Sequence, residues 1–474
     1  MLSLFTPPLT GNSPLARREL LRIGGLSLLG LSAGQLAKLQ AENATATAKP
    51  PRAKSCIFLF LFGGPSQIDL WDMKPQAGPE IRGEFQPAAT NVPGIQICEH
   101  LPLLAKQMDK LCLLRSMSHR MNVHGPACSE IFTGRPYFGP PTTDQATRED
   151  WPSLSSLTTR FGKSKEGLPP SVVLPWYLQF TGQAKRIAGQ TAGRMGDSHS
   201  AMLVQGDLGR ADFELAGLQL PKDVPWERTV NRRDLLSTIQ ESASSPKSNF
   251  GSGLTMLDEN RRRAWSLLEH RAGEVLDLKR EQPAVREKYG QTTVGQSLLM
   301  ARRLVEAGVS LVTVNWQDET HIDGVNTCWD THQENFPKLK TLLCPLFDKA
   351  FSAFIEDLHQ RGLLETTLVV AVGEFGRTPR LGQFEQSSNT RKTGRDHWPH
   401  AFTALLAGGG VRGGQVYGST NENGGYVKEK PVSPADLSAT ILHHLGIDPQ
   451  QTWPDEFQNL PRKLSEGRVV RDLA

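Results

Sequence analysis

Cysteine is sparse in this chain, with six among 474 residues and no CxxC pair. Cys56, Cys98, Cys112, Cys128, Cys328 and Cys344 are scattered, which argues against a zinc knuckle or a dithiol motif and reads as mostly small buried hydrophobes. An oxidising compartment would permit a disulfide, but the spacing names no pair. Net charge is also slight, since 53 basic against 49 acidic residues leave +4. Basic runs such as Arg261 to Arg263 have acids nearby, so no nucleic-acid footprint is expected. No apolar run reaches the roughly 20 residues of a membrane-spanning helix. What the chain does have is 38% hydrophobic residues with 44 Gly and 32 Pro, enough for a sizeable core threaded by many turns. The length is open to two or three domains or to one large α/β sheet with insertions.

The N-terminus carries Arg17-Arg18 just before a short, mildly apolar stretch, Ile23 to Leu31. That pattern resembles a twin-arginine export signal, read here as a signal peptide over 1–41 with a polar linker over 42–54; the alternative is an ordinary amphipathic helix. The expected location is periplasmic or otherwise exported, with no stable membrane span once the signal is removed.

Cys56 to Phe62 is a continuous apolar run closed by Gly63-Gly64-Pro65, the pattern of a strand covered on both faces. Gly308 to Asn315, Thr367 to Val372 and Phe402 to Ala407 repeat it, and Ser171 to Leu174 and Ala201 to Val204 are weaker candidates. Leu101 to Leu114 has helical spacing, Leu339 to Gly362 reads as a helix ended by glycine, and residues 228–307 read as a block of two or three helices. Strands alternating with helices predict one α/β domain over 55–474, with ligands beyond the carboxyl ends of the strands.

Polar clusters fall at those ends. Asp69 and Asp72 follow the first strand, Asp330 and His332 the second and Glu374 and Arg377 the third, while Asp396 and His397 precede the fourth. Carboxylate oxygen beside imidazole nitrogen suits zinc, manganese or iron, and an all-oxygen subset suits magnesium or calcium. Each loop also has a plainer reading. Asp69 or Asp72 can cap a helix. Asp330 and His332 can form an Asx turn, and Glu374 can pair with Arg377. Asp396 can orient an imidazole without itself touching an ion.

The order strand, polar loop, Thr133-Gly134-Arg135-Pro136, then Thr367 to Gly376 resembles the sulfatase and alkaline phosphatase superfamily. Gly63-Gly64-Pro65-Ser66, Trp329-Asp330-Thr331-His332, Gly373 to Pro379 and Gly394 to Pro399 more narrowly resemble domain-of-unknown-function family 1501 within it, over about Cys56 to Gly446. The resemblance implies an alkaline phosphatase-like, mostly parallel central sheet with helices on both faces and a helical insertion. It also implies a divalent metal: zinc, manganese, calcium or magnesium. Asp330, His332, Glu374 and His397 are the candidate ligands, followed by Asp69 and Asp396.

Sulfatases place a nucleophile nine residues before a Thr-Gly pair. Here that residue is His124, a candidate general acid, base or nucleophile whose plainer reading is a hydrogen-bonded histidine near the surface. Gly63 and Gly64 stand where the superfamily has acidic ligands, and Glu374-Phe375 replaces its Asp-His or Asp-Asn pair. Arg135 and Arg377 are the candidates for binding the anion. The implied function is hydrolysis of sulfate or phosphate esters, either small molecules or polysaccharide. The alternatives are a protein that binds metal or an anionic ligand without ester hydrolysis, and a purely structural exported protein.

Overall fold

The computed structural model describes residues 53–473 apart from 140–144, 181–185, 216–217, 219–222, 244–260, 271, 318–327, 384–392, 456 and 459. The expected signal segment and all of the linker but its last two residues lie outside the described residues. Eight strands form the central sheet: β1 (Ser55–Leu61), β2 (Leu111–Met117), β3 (Ser171–Leu174), β4 (Met202–Leu203), β5 (Leu311–Trp316), β6 (Thr367–Val372), β7 (Phe402–Ala407) and β8 (Gln415–Tyr417). Their order is β8-β2-β7-β6-β1-β5-β3-β4. All pairs are parallel except those of β7, which runs against both β2 and β6. The sheet is therefore mostly parallel, as expected.

Strand β1 explains why the core has two halves. Successive side chains on a strand point to opposite faces. Ile57, Leu59 and Leu61 enter one apolar cluster with helices α5 (Thr293–Ala307) and α6 (Cys344–Gln360). Phe58 and Phe60 enter the other, against α2 (His124–Thr133), α3 (Leu154–Phe161) and α7 (Pro434–His444). Helices thus cover both faces, which is why the strand reads as unbroken hydrophobic sequence. Between β4 and β5 lie α4 (Trp226–Ala243), a helical stretch at 261–269, shorter helices at Ala272–Leu276 and Pro283–Tyr289, and then α5.

One expectation is overturned. Leu101 to Leu114 is not one helix: α1 (Pro102–Ala105) makes one turn, Met108–Lys110 another, and Leu111 enters β2. Leu113 and Leu114 lie opposite Leu405 and Ala404 of β7, and Leu111 to Leu114 are all buried. A short apolar run hidden on every side carries no period that separates helix from strand, so the tertiary neighbours decide. No helix among the described residues is long and apolar enough to cross a membrane.

Candidate metal centre

Four connections bring their side chains to one edge of the sheet, at the carboxyl ends of the parallel strands and the start of antiparallel β7. The connection after β2 leads to His124, the first residue of α2. That after β5 brings Asp330 and His332, that after β6 brings Glu374 and Arg377, and the approach to β7 brings Asp396 and His397. The edge position is where ligands gather in open α/β sheets.

His124, Asp330, His332 and His397 each offer a ligand atom, and these atoms lie within 4.8 Å of one another. His124 Nε2 stands 3.0 Å from Asp330 Oδ2, while His332 Nε2 is 3.0 Å and His397 Nε2 3.2 Å from Asp330 Oδ1. The Nε2 atoms of His332 and His397 are themselves 3.0 Å apart.

Every imidazole is held from behind through Nδ1. Glu374 Oε1 accepts from His124 at 2.5 Å, Asp396 Oδ1 from His332 at 2.9 Å, and the Asn122 carbonyl from His397 at 2.8 Å. An oxygen acceptor behind Nδ1 places the proton there and leaves the Nε2 lone pair aimed at the centre. The residues fit a metal ion on this test. Two lone pairs facing each other at 3.0 Å need a cation between them, and His124 Nε2 is buried without a hydrogen bond, since its contact with Asp330 lacks bonding geometry.

In the absence of an ion, protons take the same place. Burial opposes charge on His124, but the Asp330 and Glu374 carboxylates outweigh it and push the imidazole up to about 9. Burial likewise opposes charge on His332, which Asp330 and Asp396 nevertheless hold above the ordinary histidine range. Burial, with the charge on His124 added, drives His397 down to about 3. Asp330 is held well below the usual carboxylate range, because His124 and Arg377 overcome its desolvation.

The surrounding shell fixes these groups. The Gly63 amide donates to both oxygens of buried Glu374, at 2.9 and 3.1 Å. Gly64, at φ +74°, packs so tightly that a Cβ there would lie 2.6 Å from the Phe375 ring. A side chain therefore has no room at Gly64, and an amide at Gly63 holds the carboxylate that β6 supplies. Phe375 faces His397 with ring centres 4.3 Å apart, and Phe62 and Phe180 wall His124 at 5.5 and 6.2 Å.

The sequence-derived candidates divide accordingly. Asp330, His332 and His397 converge, and His124, expected as a general acid, base or nucleophile, lies with them and offers a fourth donor atom. Glu374 and Asp396 stand behind imidazoles. Asp396 orients His332 and leaves its chain neighbour His397 to the Asn122 carbonyl, which no sequence signal indicated.

Asp69 is not brought to the cluster. Its oxygens receive Arg395 twice at 2.8 Å, with Asn335 and Ser66 completing the shell. Asp72 meets Lys74 and Thr420. Arg377 is wholly buried; it binds Asp330 and the Gly63, Gly64 and Arg395 carbonyls, so it braces Asp330 and does not face solvent. Arg135 lies beyond the far end of α2, paired with Glu466 at 3.0 Å and the Lys463 carbonyl, and does not reach the cluster.

A family model described as "Protein of unknown function (DUF1501)" matches residues 53–474. The chain belongs to this family. A comparison with curated proteins returned no match. Among solved structures, this DUF1501 chain is similar to an alkaline phosphatase from the Antarctic bacterium TAB5, at 12% identity over 84% of this chain and 99% of that one, with TM-score 0.35. It is similar to the PsFucS1 sulfatase from Pseudoalteromonas sp. at 13% identity, 87% and 70% coverage and TM-score 0.32. It also resembles the C-terminal periplasmic domain of EcEptC from Escherichia coli, solved in complex with zinc, at 10% identity, 90% and 96% coverage and TM-score 0.34. At these scores the chemistry of the DUF1501 site rests on its own side chains.

Proposed function

We propose that this protein is an exported metal-dependent hydrolase of sulfate or phosphate esters, its leader over 1–41 removed and residues 55–474 working as one domain. The observation that carries the reading is the convergence of three Nε2 atoms and the Asp330 carboxylate within 4.8 Å at the ligand-bearing edge of the sheet. Nitrogen with one carboxylate favours zinc, manganese or iron over calcium or magnesium. Bound there, a divalent ion would supply Lewis acidity toward an ester oxygen or a water molecule.

The rest belongs to the chain's own residues. Glu374, Asp396 and the Asn122 carbonyl fix the tautomers, and Arg377 anchors Asp330. Phe62, Phe180 and Phe375 keep water from the imidazole faces. His124, with its Nδ1 proton on Glu374 and Nε2 at the cluster, serves as a ligand and not as a covalent nucleophile. Ester cleavage on this reading is a direct displacement by water.

One observation favours the second reading, a protein that holds metal without cleaving esters. Arg135 does not reach the cluster, the Arg377 guanidinium is committed to Asp330 and to backbone carbonyls, and four protein donors fill a tetrahedron. An ion accepting five or six donors keeps a place for substrate. The deciding experiment is elemental analysis of protein purified from its native compartment, together with turnover of 4-nitrophenyl phosphate and 4-nitrophenyl sulfate. The hydrolase reading expects stoichiometric metal and turnover that chelator and His332→Ala abolish. Metal without turnover supports the second reading, and absence of metal removes both.

A further inference from the structure

His119 is buried, its side chain 4% exposed, and it has no part in the four-donor cluster. It belongs to the connection between β2 and α2, which forms no helix or strand from 118 to 123. Arg120, Asn122 and Val123 are exposed and Met121 is half-buried, so the connection has little packing of its own. Nor does a capping side chain fix the start of α2, because Val123 supplies no hydrogen bond there. Yet the connection delivers two parts of the metal centre. One is His124 with its Nε2 donor, and the other is the Asn122 carbonyl that holds His397 Nδ1 at 2.8 Å.

The ring of His119 supplies the fixing that the connection lacks. The Met121 amide donates to Nδ1 at 3.0 Å, and an amide N–H can only donate, so the ring proton sits on Nε2. Nε2 then donates to the Glu374 carbonyl at 2.6 Å. This tautomer is the reverse of that held by the three imidazoles of the cluster. Glu130 Oε2, 3.7 Å from Nδ1, is beyond hydrogen-bond reach. The backbone of His119 donates to the Pro399 carbonyl at 2.9 Å, two residues past His397, and its ring stands edge-on to Phe402 of β7 at 5.4 Å.

Both ends of the stretch from His119 to His124 therefore land on one residue. The Glu374 carbonyl receives His119, and the Glu374 carboxylate receives His124 at 2.5 Å. The stretch is closed like a clasp, with the Asn122 carbonyl held between its two ends.

We propose that His119 is a positioning residue for the metal centre. Its bond to the Glu374 carbonyl sets where His124 Nε2 and the Asn122 carbonyl stand, and so governs two of the four donors, His124 and His397. His332 is held independently, since Asp396 grips that imidazole from another connection. The inference rests on the metal centre of the hydrolase reading and not on ester cleavage.

The test uses zinc and the full-length protein, and compares the parent with His119→Phe and His119→Gln. Phenylalanine keeps a ring against Phe402 and removes the donor, whereas the glutamine amide nitrogen restores a donor near the place of Nε2. Competition against a chromogenic chelator should show zinc bound about 10–100-fold more weakly by His119→Phe, as for other groups that orient a ligating histidine, with most of the loss recovered in His119→Gln. Long-range proton–nitrogen spectra of the zinc-loaded parent should place the His119 proton on Nε2. In His119→Phe the Nδ1 proton of His397 should exchange with water faster while that of His332 is unchanged, a selectivity that general loosening of the fold would not give. Parental zinc affinity in a folded His119→Phe protein, equal acceleration at His397 and His332, or a parent His119 protonated on Nδ1 each overturns the proposal; the last holds even where the substitution prevents folding. A parent that takes up no zinc removes the metal centre and this role together, whereas a zinc-loaded parent that cleaves no ester removes only the hydrolysis.

Discussion

Asp69 and Glu374 are both buried carboxylates beside strand ends, yet they do different work, and substitution separates them. Asp69 neutralises Arg395, with both side chains wholly buried. Breaking such a pair by removing one partner typically costs about 3–5 kcal/mol. Asp69→Asn should therefore lower the urea midpoint sharply and leave the metal content of the folded fraction unchanged; loss of metal at full stability would make Asp69 a ligand instead. Glu374→Gln and Asp396→Asn act through His124 and His332. Losing the carboxylate behind a ligating histidine lowers metal affinity by about 10–100-fold. Competition against a chromogenic chelator measures this, and parental affinity in both variants would remove the carboxylates from the site.

The same residues set a pH dependence for the metal-free protein. His124 is raised to about 9, so its contribution is complete below the ordinary value of 6.5 and is lost as pH rises through 9. His397 is lowered to about 3, so it contributes above 6.5 and its contribution is lost as pH falls toward 3. The pair should place a stability maximum near 6.5. Urea melts of chelated protein should lose the alkaline limb in His124→Gln and the acid limb in His397→Gln; limbs unchanged by both substitutions would refute the assignment.

At the scale of elements, β1 and the turn after it decide whether the site is assembled. The strand was legible because burial on both faces leaves an unbroken apolar run, and β6 and β7 were legible for the same reason. β2 was not, since Leu111 to Leu114 fits either period and only its pairing with β7 makes it extended. Gly64 is where the strand end and the Phe375 segment touch. A side chain there must adopt φ +74° and displace an aromatic ring and a carbonyl. Gly64→Ala should cost at least about 1–3 kcal/mol, as overpacking does. It should weaken metal binding as well, because Phe375 follows Glu374 directly. A stable variant with parental metal content would show that the contact yields easily.

For the molecule as a whole, the site closes only when connections more than 200 residues apart meet, as His124 and Asp330 do at 3.0 Å. An ion bound only by the folded state then stabilises the entire domain, by about 4 kcal/mol at a thousandfold excess over its dissociation constant. Added zinc or manganese should raise the melting temperature of the chelated parent but not of His332→Ala. An equal rise in both would indicate binding elsewhere. Because the imidazoles give up protons to the ion, the rise should be larger at pH 8 than at pH 5.

The sequence by itself determined the parallel sheet, the family and the loops that carry Asp330, His332, Glu374, Asp396 and His397, because periodicity and strand-edge motifs are local properties of the chain. Only the tertiary structure decided which of those groups point inward, that His124 joins them, and that Asp69, Arg135 and Arg377 are committed to other partners. Hydrogen-bond partners 64 to 275 residues away choose each imidazole's rotamer and tautomer, and one-dimensional spacing carries no record of that choice.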